Sequence, residues 1–209
     1  LGGSIFIATF NVQASLTSYI GRLGKYFLAD VNLTLSQPYR VEEIQNILNT
    51  VPGVSHVEGW SAARCEVVNQ DGTAGESVQL IGPPPNSSMI TPIMLTGRWI
   101  VPGDENAVVL NERFQAAYPE LKVGDTLRLR VNGKETDWVV VGFFQLAGKS
   151  AGYLAYTDYD YLARLIHQPN RAAMFRIAAS GHGLTIDQQK QFGRQIEQVL
   201  KDKDIHVND

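Results

Sequence analysis

Little in this 209-residue sequence points to chemistry, and each absence removes a class of function. There is one cysteine, Cys65, so no disulfide can form within the chain. A lone cysteine in an apolar predicted strand reads as a small buried apolar residue rather than a reactive thiol. It carries no information about compartment, because extracytoplasmic domains with a good core often have no disulfide. Lys and Arg number 18 against 21 Asp and Glu, and no Lys/Arg-rich run occurs. The net charge of −3 therefore gives no basic face of the size nucleic acid needs. No run of 18 or more apolar residues exists that could span a bilayer. The four histidines, His56, His167, His182 and His206, are scattered, and with one cysteine they offer no zinc-site spacing. Phosphate-binding and serine-nucleophile motifs are missing too. No catalytic, cofactor-binding or metal-binding residue can be named, and an enzyme is the weaker hypothesis.

What remains has the makings of a core. Hydrophobic residues make up 44% of the chain, close to the globular average. The long middle segment, residues 61–149, reads as β-rich and full of turn dipeptides. On each side of it lies the same short pattern of strand, helix and strand. Before it, Val31, Leu33 and Leu35 alternate with polar residues in a half-buried strand. Residues 41–51 then place Ile44, Ile47, Leu48 and Val51 on one helical face, and Pro52-Gly53 ends the helix. Glu42 and Glu43 sit in its first turn, where the helix dipole favours acids, and do not form a catalytic pair. A strand over residues 54–58 leads into the middle segment. After it, residues 172–179 read as a strand, and Thr185-Ile-Asp-Gln188 as a capping box. The helix that follows buries Phe192, Ile196, Val199 and Leu200, and Ile205-His-Val207 is expected to close the sheet.

Inside the middle segment, Asp71-Gly72 and Asn132-Gly133 mark two hairpins, the second of them the clearer. Asn111 is placed to cap a brief helix that Pro119 ends. Asp104, Glu105 and Asp125 fall in turns, where Asp is a turn former. Several strands at this spacing suggest a small barrel or sandwich. Thr157-Asp-Tyr-Asp160 resembles a capping box that opens a helix through His167, with Asp158 and Asp160 at an exposed helix start. The expected fold is α+β: a ferredoxin-like, porter-type split βαβ subdomain of residues 1–60 and 150–209, interrupted by a β-rich insert of residues 61–149.

Two segments stay open. Ile5, Val12 and Tyr19, with Thr9, Leu16 and Leu23, form an apolar stripe over residues 4–24. That stripe suits a helix packed on its own domain, or a stalk helix rising from a membrane. His182, between two glycines, is the one histidine worth testing as a ligand; a solvated loop residue is the alternative.

Several pieces taken in order carry a resemblance. They are Val51-Pro-Gly-Val54, Leu95-Thr-Gly-Arg-Trp99 with Asp104, Val108-Val-Leu-Asn111, Val123-Gly-Asp-Thr-Leu127 and Trp138-Val-Val-Val-Gly142, after the apolar lead-in of residues 2–16. With these, nearly the whole chain resembles the extracytoplasmic core domain of MacB-like ABC transporter permeases. That group includes the macrolide exporter, the lipoprotein-release permeases and FtsX-like proteins. The resemblance implies a porter-like subdomain and a β-rich subdomain, with transmembrane helices adjoining Ser4 and Asp209 and residues 1–24 as a membrane-proximal stalk. It implies a partner ABC ATPase subunit, a second permease copy as homo- or heterodimer, and a periplasmic adaptor or lipoprotein as a further candidate partner. Mechanotransmission would link ATP-driven closure to the outer domain. The family carries no catalytic residues to transfer. Residues 83–88 and 148–152 are candidate contact loops. The runner-up is a free-standing extracytoplasmic binding module using Tyr153, Tyr156, Tyr159 and Tyr161 as an aromatic surface.

Overall fold

The structure, a computed structural model, describes residues 29–145, 152–181 and 184–208. The apolar stripe of residues 4–24, His182 and most of the 148–152 loop lie outside the described residues. The strands are β1 (Val31–Arg40), β2 (Val54–Val68), β3 (Ala74–Gly82), β4 (Ile93–Gly97), β5 (Ala107–Asn111), β6 (Thr126–Val131), β7 (Lys134–Gln145), β8 (Tyr153–Tyr156) and β9 (Arg171–Ala179). The helices are α1 (Val41–Leu48), α2 (Glu112–Ala117), α3 (Tyr159–Leu165) and α4 (Ile186–Lys201).

One strand belongs to two layers. The first half of β2 lies against β9, from Val54↔Ala179 to Trp60↔Met174, and β9 pairs on its other side with β1. This small antiparallel sheet places Leu33, Leu35, Val57, Phe175 and Ile177 on one face. There they meet Ile44 and Leu48 of α1 and Phe192, Ile196 and Leu200 of α4. Burying each such side chain contributes about 1.5–3 kcal/mol, which holds two short helices that would not persist alone. Helix α4 starts with the expected capping box: the Gln188 amide donates to Thr185 Oγ1 and the Thr185 amide to Gln188 Oε1.

The chain end departs from expectation. Residues 205–207 do not form a full strand: Val207 makes a single bridge to Leu35, flanked by the Ser36 amide on His206 O and the Asn208 amide on Thr34 O. The segment is short, and its Ile205 turns into the helix-side core instead of extending the ladder.

The second half of β2 enters a ring. β2 pairs with β3, β3 with β8, β8 with β5, β5 with β7, β7 with β6, and β6 returns to β2. These six strands form a closed barrel with β4 added along β7. Closure leaves the ring without exposed edges. Cys65, Val67, Val78, Leu80, Val108, Leu110, Leu127, Leu129, Val131, Trp138 and Val140 share its packed core with Phe114 of α2 and Leu162 of α3. The β6–β7 turn is the expected Asn132-Gly133 hairpin, with both residues at positive φ (49° and 78°) as a two-residue loop requires. β8 joins this ring, although residues from 150 onward were expected with the flanking unit. It lies between β3 and β5 because Ala155 is needed inside the barrel and Leu154 and Tyr156 outside it.

A further apolar cluster joins sheet and barrel. Trp60 packs with Ile81, Met89, Ile90, Ile100, Val109, Val141, Phe144, Leu154 and Tyr156, against Trp99, Met174 and Ala178. β5 is buried along its whole length because one face lines the barrel and the other lines this junction.

Candidate functional site: the junction of sheet and barrel

A cleft of about 770 Å³ opens where the small sheet meets the barrel. Arg40, Val41, Glu42 and Gln45 form one wall at the start of α1. His56 and Glu58 of β2 line the cleft too, as do Pro84, Asn86 and Tyr159. Tyr159 is fixed there by its hydroxyl, which donates to Arg171 O at 3.0 Å. Burial, helped by the charge of Asp160, pushes that hydroxyl's pKa up to about 12, so it stays a donor.

Glu58 is the centre of this site, and it is only 5% exposed. Trp60 Nε1 donates to its Oε2 at 3.0 Å, and Ser87 Oγ donates to the same oxygen. The Ser88 amide and His56 Nε2 reach Oε1 at 3.0 and 3.1 Å. A buried carboxylate is costly unless its lone pairs are filled, and here donors from two separate segments fill them. Across the ladder Glu58 faces Arg176, whose guanidinium lies 4.9 Å from the Trp60 ring centre. Burial lowers the pKa of that guanidinium.

The sequence did not single out Glu58, Trp60 or Arg176. The available signal was an acid inside an otherwise apolar strand, two residues before a tryptophan. Alternation places both on one face, but only the fold shows that a loop 30 residues away supplies the donors.

The residues named in advance are mostly elsewhere. The 83–88 segment is partly fastened rather than free: Ser87 and Ser88 bind Glu58, and the Ser87 amide bonds to Pro84 O. Tyr153, Tyr156, Tyr159 and Tyr161 do not form an aromatic surface. Tyr156 is fully buried between Trp99 and Phe144, and Tyr161 packs edge-on against Trp138. The barrel core takes Tyr153 and Tyr161 and the junction core Tyr156, while Tyr159 lines the cleft. Asp158 is not at an exposed helix start: it is 2% exposed and caps α3 by accepting from the Tyr161 amide at 2.9 Å. Thr157, expected as the cap, instead donates to Ala107 O at 2.8 Å. Asn111 precedes α2, but its side chain stitches β5 to β8, donating to Gly152 O and accepting from the Leu154 amide. Cys65 is buried, and its pKa is pushed up to about 12 by burial and the charge of Glu66. Among the described residues no group of three or more His, Cys, Asp or Glu could hold a metal.

Four of the motifs that carried the resemblance converge on β7, whereas Val51-Pro-Gly-Val54 lies at the start of β2 beside β9. At Gly97 (φ 73°) an added Cβ would lie 2.3 Å from Val141 O. The Arg98 amide donates to Val141 O, and its guanidinium grips Asp104 at 2.7 and 3.0 Å, closing the loop after β4. Burial pushes the Asp104 carboxyl's pKa up, but the Arg98 and Val101 hydrogen bonds and the Arg98 charge outweigh it and hold the group below the usual range. On the next turn, the Gly124 amide donates to Val140 O and the Val140 amide to Asp125 O. These contacts fasten the loops around β7.

No protein-family model matches the sequence, and no curated protein matches it in a sequence comparison. Structure comparison does find relatives in shape. The extracellular domain of the noncanonic ABC-type transporter YknZ from Gram-positive bacteria aligns over 85% of this chain and 98% of that one, at 14% identity and a TM-score of 0.56. The fold is that of the extracytoplasmic domains of ABC transporter permeases. The periplasmic region of MacB from Actinobacillus actinomycetemcomitans gives 85% and 87% coverage, 14% identity and a TM-score of 0.54. Among the described residues, no helix is long and apolar enough to cross a membrane.

Proposed function

We propose that this chain is the extracytoplasmic domain of an ABC transporter permease subunit, and that it couples ATP-driven transmembrane motion to export, lipoprotein release or regulation of an envelope partner. The observation that carries this is the shared architecture over 85% of the chain, at near-full length of the YknZ domain. Sequence motifs in matching order add to it. ATP hydrolysis would reside in a partner ABC ATPase, and a second permease copy would complete the transporter. The chain divides into a small sheet unit (residues 29–60 and 171–208) and a barrel unit (residues 61–165). The order Val207 segment, β1, β9, β2 supports a split βαβ reading of the first unit.

A cysteine at the exposed Lys134 position, in the full-length protein in its own cells, tests the placement. A membrane-impermeant maleimide is expected to label it in intact cells, or after opening of an outer envelope. Labelling that requires rupture of the cytoplasmic membrane would refute the proposal. Co-purification of an ABC ATPase with the full-length protein tests the coupling partner.

A further inference from the structure

We propose that Glu58 is a latch: it fastens the 83–88 strap of the barrel unit to the sheet unit, and so fixes the angle between the two units. Only its use in transport rests on the permease reading above.

Besides the Tyr159 hydroxyl on Arg171 O, two connections join the units on this side. One is β2, which runs unbroken from Val54 to Val68 and passes from the sheet into the barrel near Ser61. A single strand can bend and twist about its length, so it fixes position better than angle. The other is the strap, which leaves β3 at Gly82 and passes over β2. Glu58 lies on the sheet side of Ser61, and it is this carboxylate that the strap's Ser87 hydroxyl and Ser88 amide bind. Immediately beyond, Met89 and Ile90 enter the junction core beside Trp60. Trp60 in turn donates to Glu58. The latch therefore sits where strand, strap and junction core meet.

Chemistry supports a device over simple packing. Ordinary apolar residues here would close the junction without the cost of burying a carboxylate. A buried carboxylate instead makes the closed state depend on a few directional donors at once: lose those of the strap and the carboxylate is left short of partners. That gives two distinct arrangements, strap fastened or strap released, in place of continuous loosening. The same side chain lines the 770 Å³ cleft, as do Pro84 and Asn86 of the strap. Strap position and cleft width are thus set together, and a group entering the cleft reaches the latch directly.

The test uses the 209-residue chain in solution. Spin labels go on cysteines replacing the exposed Glu43 of α1 and Lys134 at the barrel's hairpin end, while Cys65 is buried and stays. Interlabel distance distributions and amide exchange are compared for the parent, Glu58→Gln and Ser87→Ala. Ser87→Ala leaves the carboxylate in place and guards against a folding defect. The expected result is exchange at least about tenfold faster at the Ser88 and Met89 amides, confined to the strap, with a broadened or second distance population. Unchanged distances in both variants, or faster exchange spread evenly over the chain, overturn the latch. Either result leaves the permease reading untouched, because no membrane is involved; failure of the maleimide test would remove that reading and leave the latch.

Discussion

Three glycines around β7 allow backbone strain and steric clash to be separated. Gly124 has a positive φ (97°) and open space where a Cβ would go. Gly142 has no positive φ, but an added Cβ would lie 2.4 Å from Arg98 O. Gly97 has both problems: φ of 73°, with Val141 O at 2.3 Å and Gly142 Cα at 2.7 Å. Alanine at Gly124 carries only the left-handed cost of about 1–2 kcal/mol, partly offset by about 0.4–1 kcal/mol of unfolded-state entropy. Alanine at Gly142 has the same offset against an overpacking cost of about 1–3 kcal/mol, since the clashing atom is backbone and must move the β4–β7 ladder. Alanine at Gly97 combines the two and, with the same offset, should cost about 1–4.6 kcal/mol. That is a large share of a domain's usual stability of about 5–15 kcal/mol. Urea unfolding followed by tryptophan fluorescence reads the midpoint of each variant, because Trp60 and Trp138 are fully buried. The expected order of loss is Gly97 greatest, Gly142 next, Gly124 least. A Gly97→Ala midpoint equal to that of Gly124→Ala would refute the argument that close approach to β7 sets these positions. Because Gly97 and Gly142 touch, the double variant should cost less than the sum.

Other expectations follow from single sites. Asp104→Asn should cost about 1–2 kcal/mol at pH 7, because Asp104 holds Arg98 and the Val101 amide. Its folded pKa is depressed, so the stability it gives is present above the unfolded value near about 4 and is lost as pH falls through the folded one; the parent and the variant should converge in acid, and a pH-independent gap would contradict this. The Cys65 thiol, at about 12, should be alkylated at pH 8 roughly 10⁴-fold more slowly than a thiolate-rich site in the folded chain, and rapid native labelling would refute its burial. Since an unfolded thiol ionises near about 8.5, Cys65 stabilises the fold below that pH, and its contribution falls as pH rises towards about 12; Cys65→Ala should flatten the alkaline loss measured by urea titration. Thr185→Ala should remove about 1 kcal/mol by breaking the α4 capping box, with thermal melting as the readout.

The sequence alone determined the local elements. Alternation at Val31, Leu33 and Leu35 specified β1, the Ile44/Leu48 spacing specified α1, Asn132-Gly133 specified its hairpin, and Thr185 with Gln188 specified the start of α4. Each depends on neighbours within a few residues, where period and turn chemistry act directly. Tertiary structure decided how these pieces were shared. It ran β2 through both units, drew β8 into the barrel, buried the tyrosines, and reduced the last strand to one bridge at Val207. It also decided the site. Glu58 lies one turn of pleat from His56 and Trp60, but its other donors, Ser87 and Ser88, come from 29 and 30 residues away. No local period encodes such a meeting; it exists only because barrel closure carries the strap back over β2, where a buried carboxylate must find donors wherever the chain can supply them.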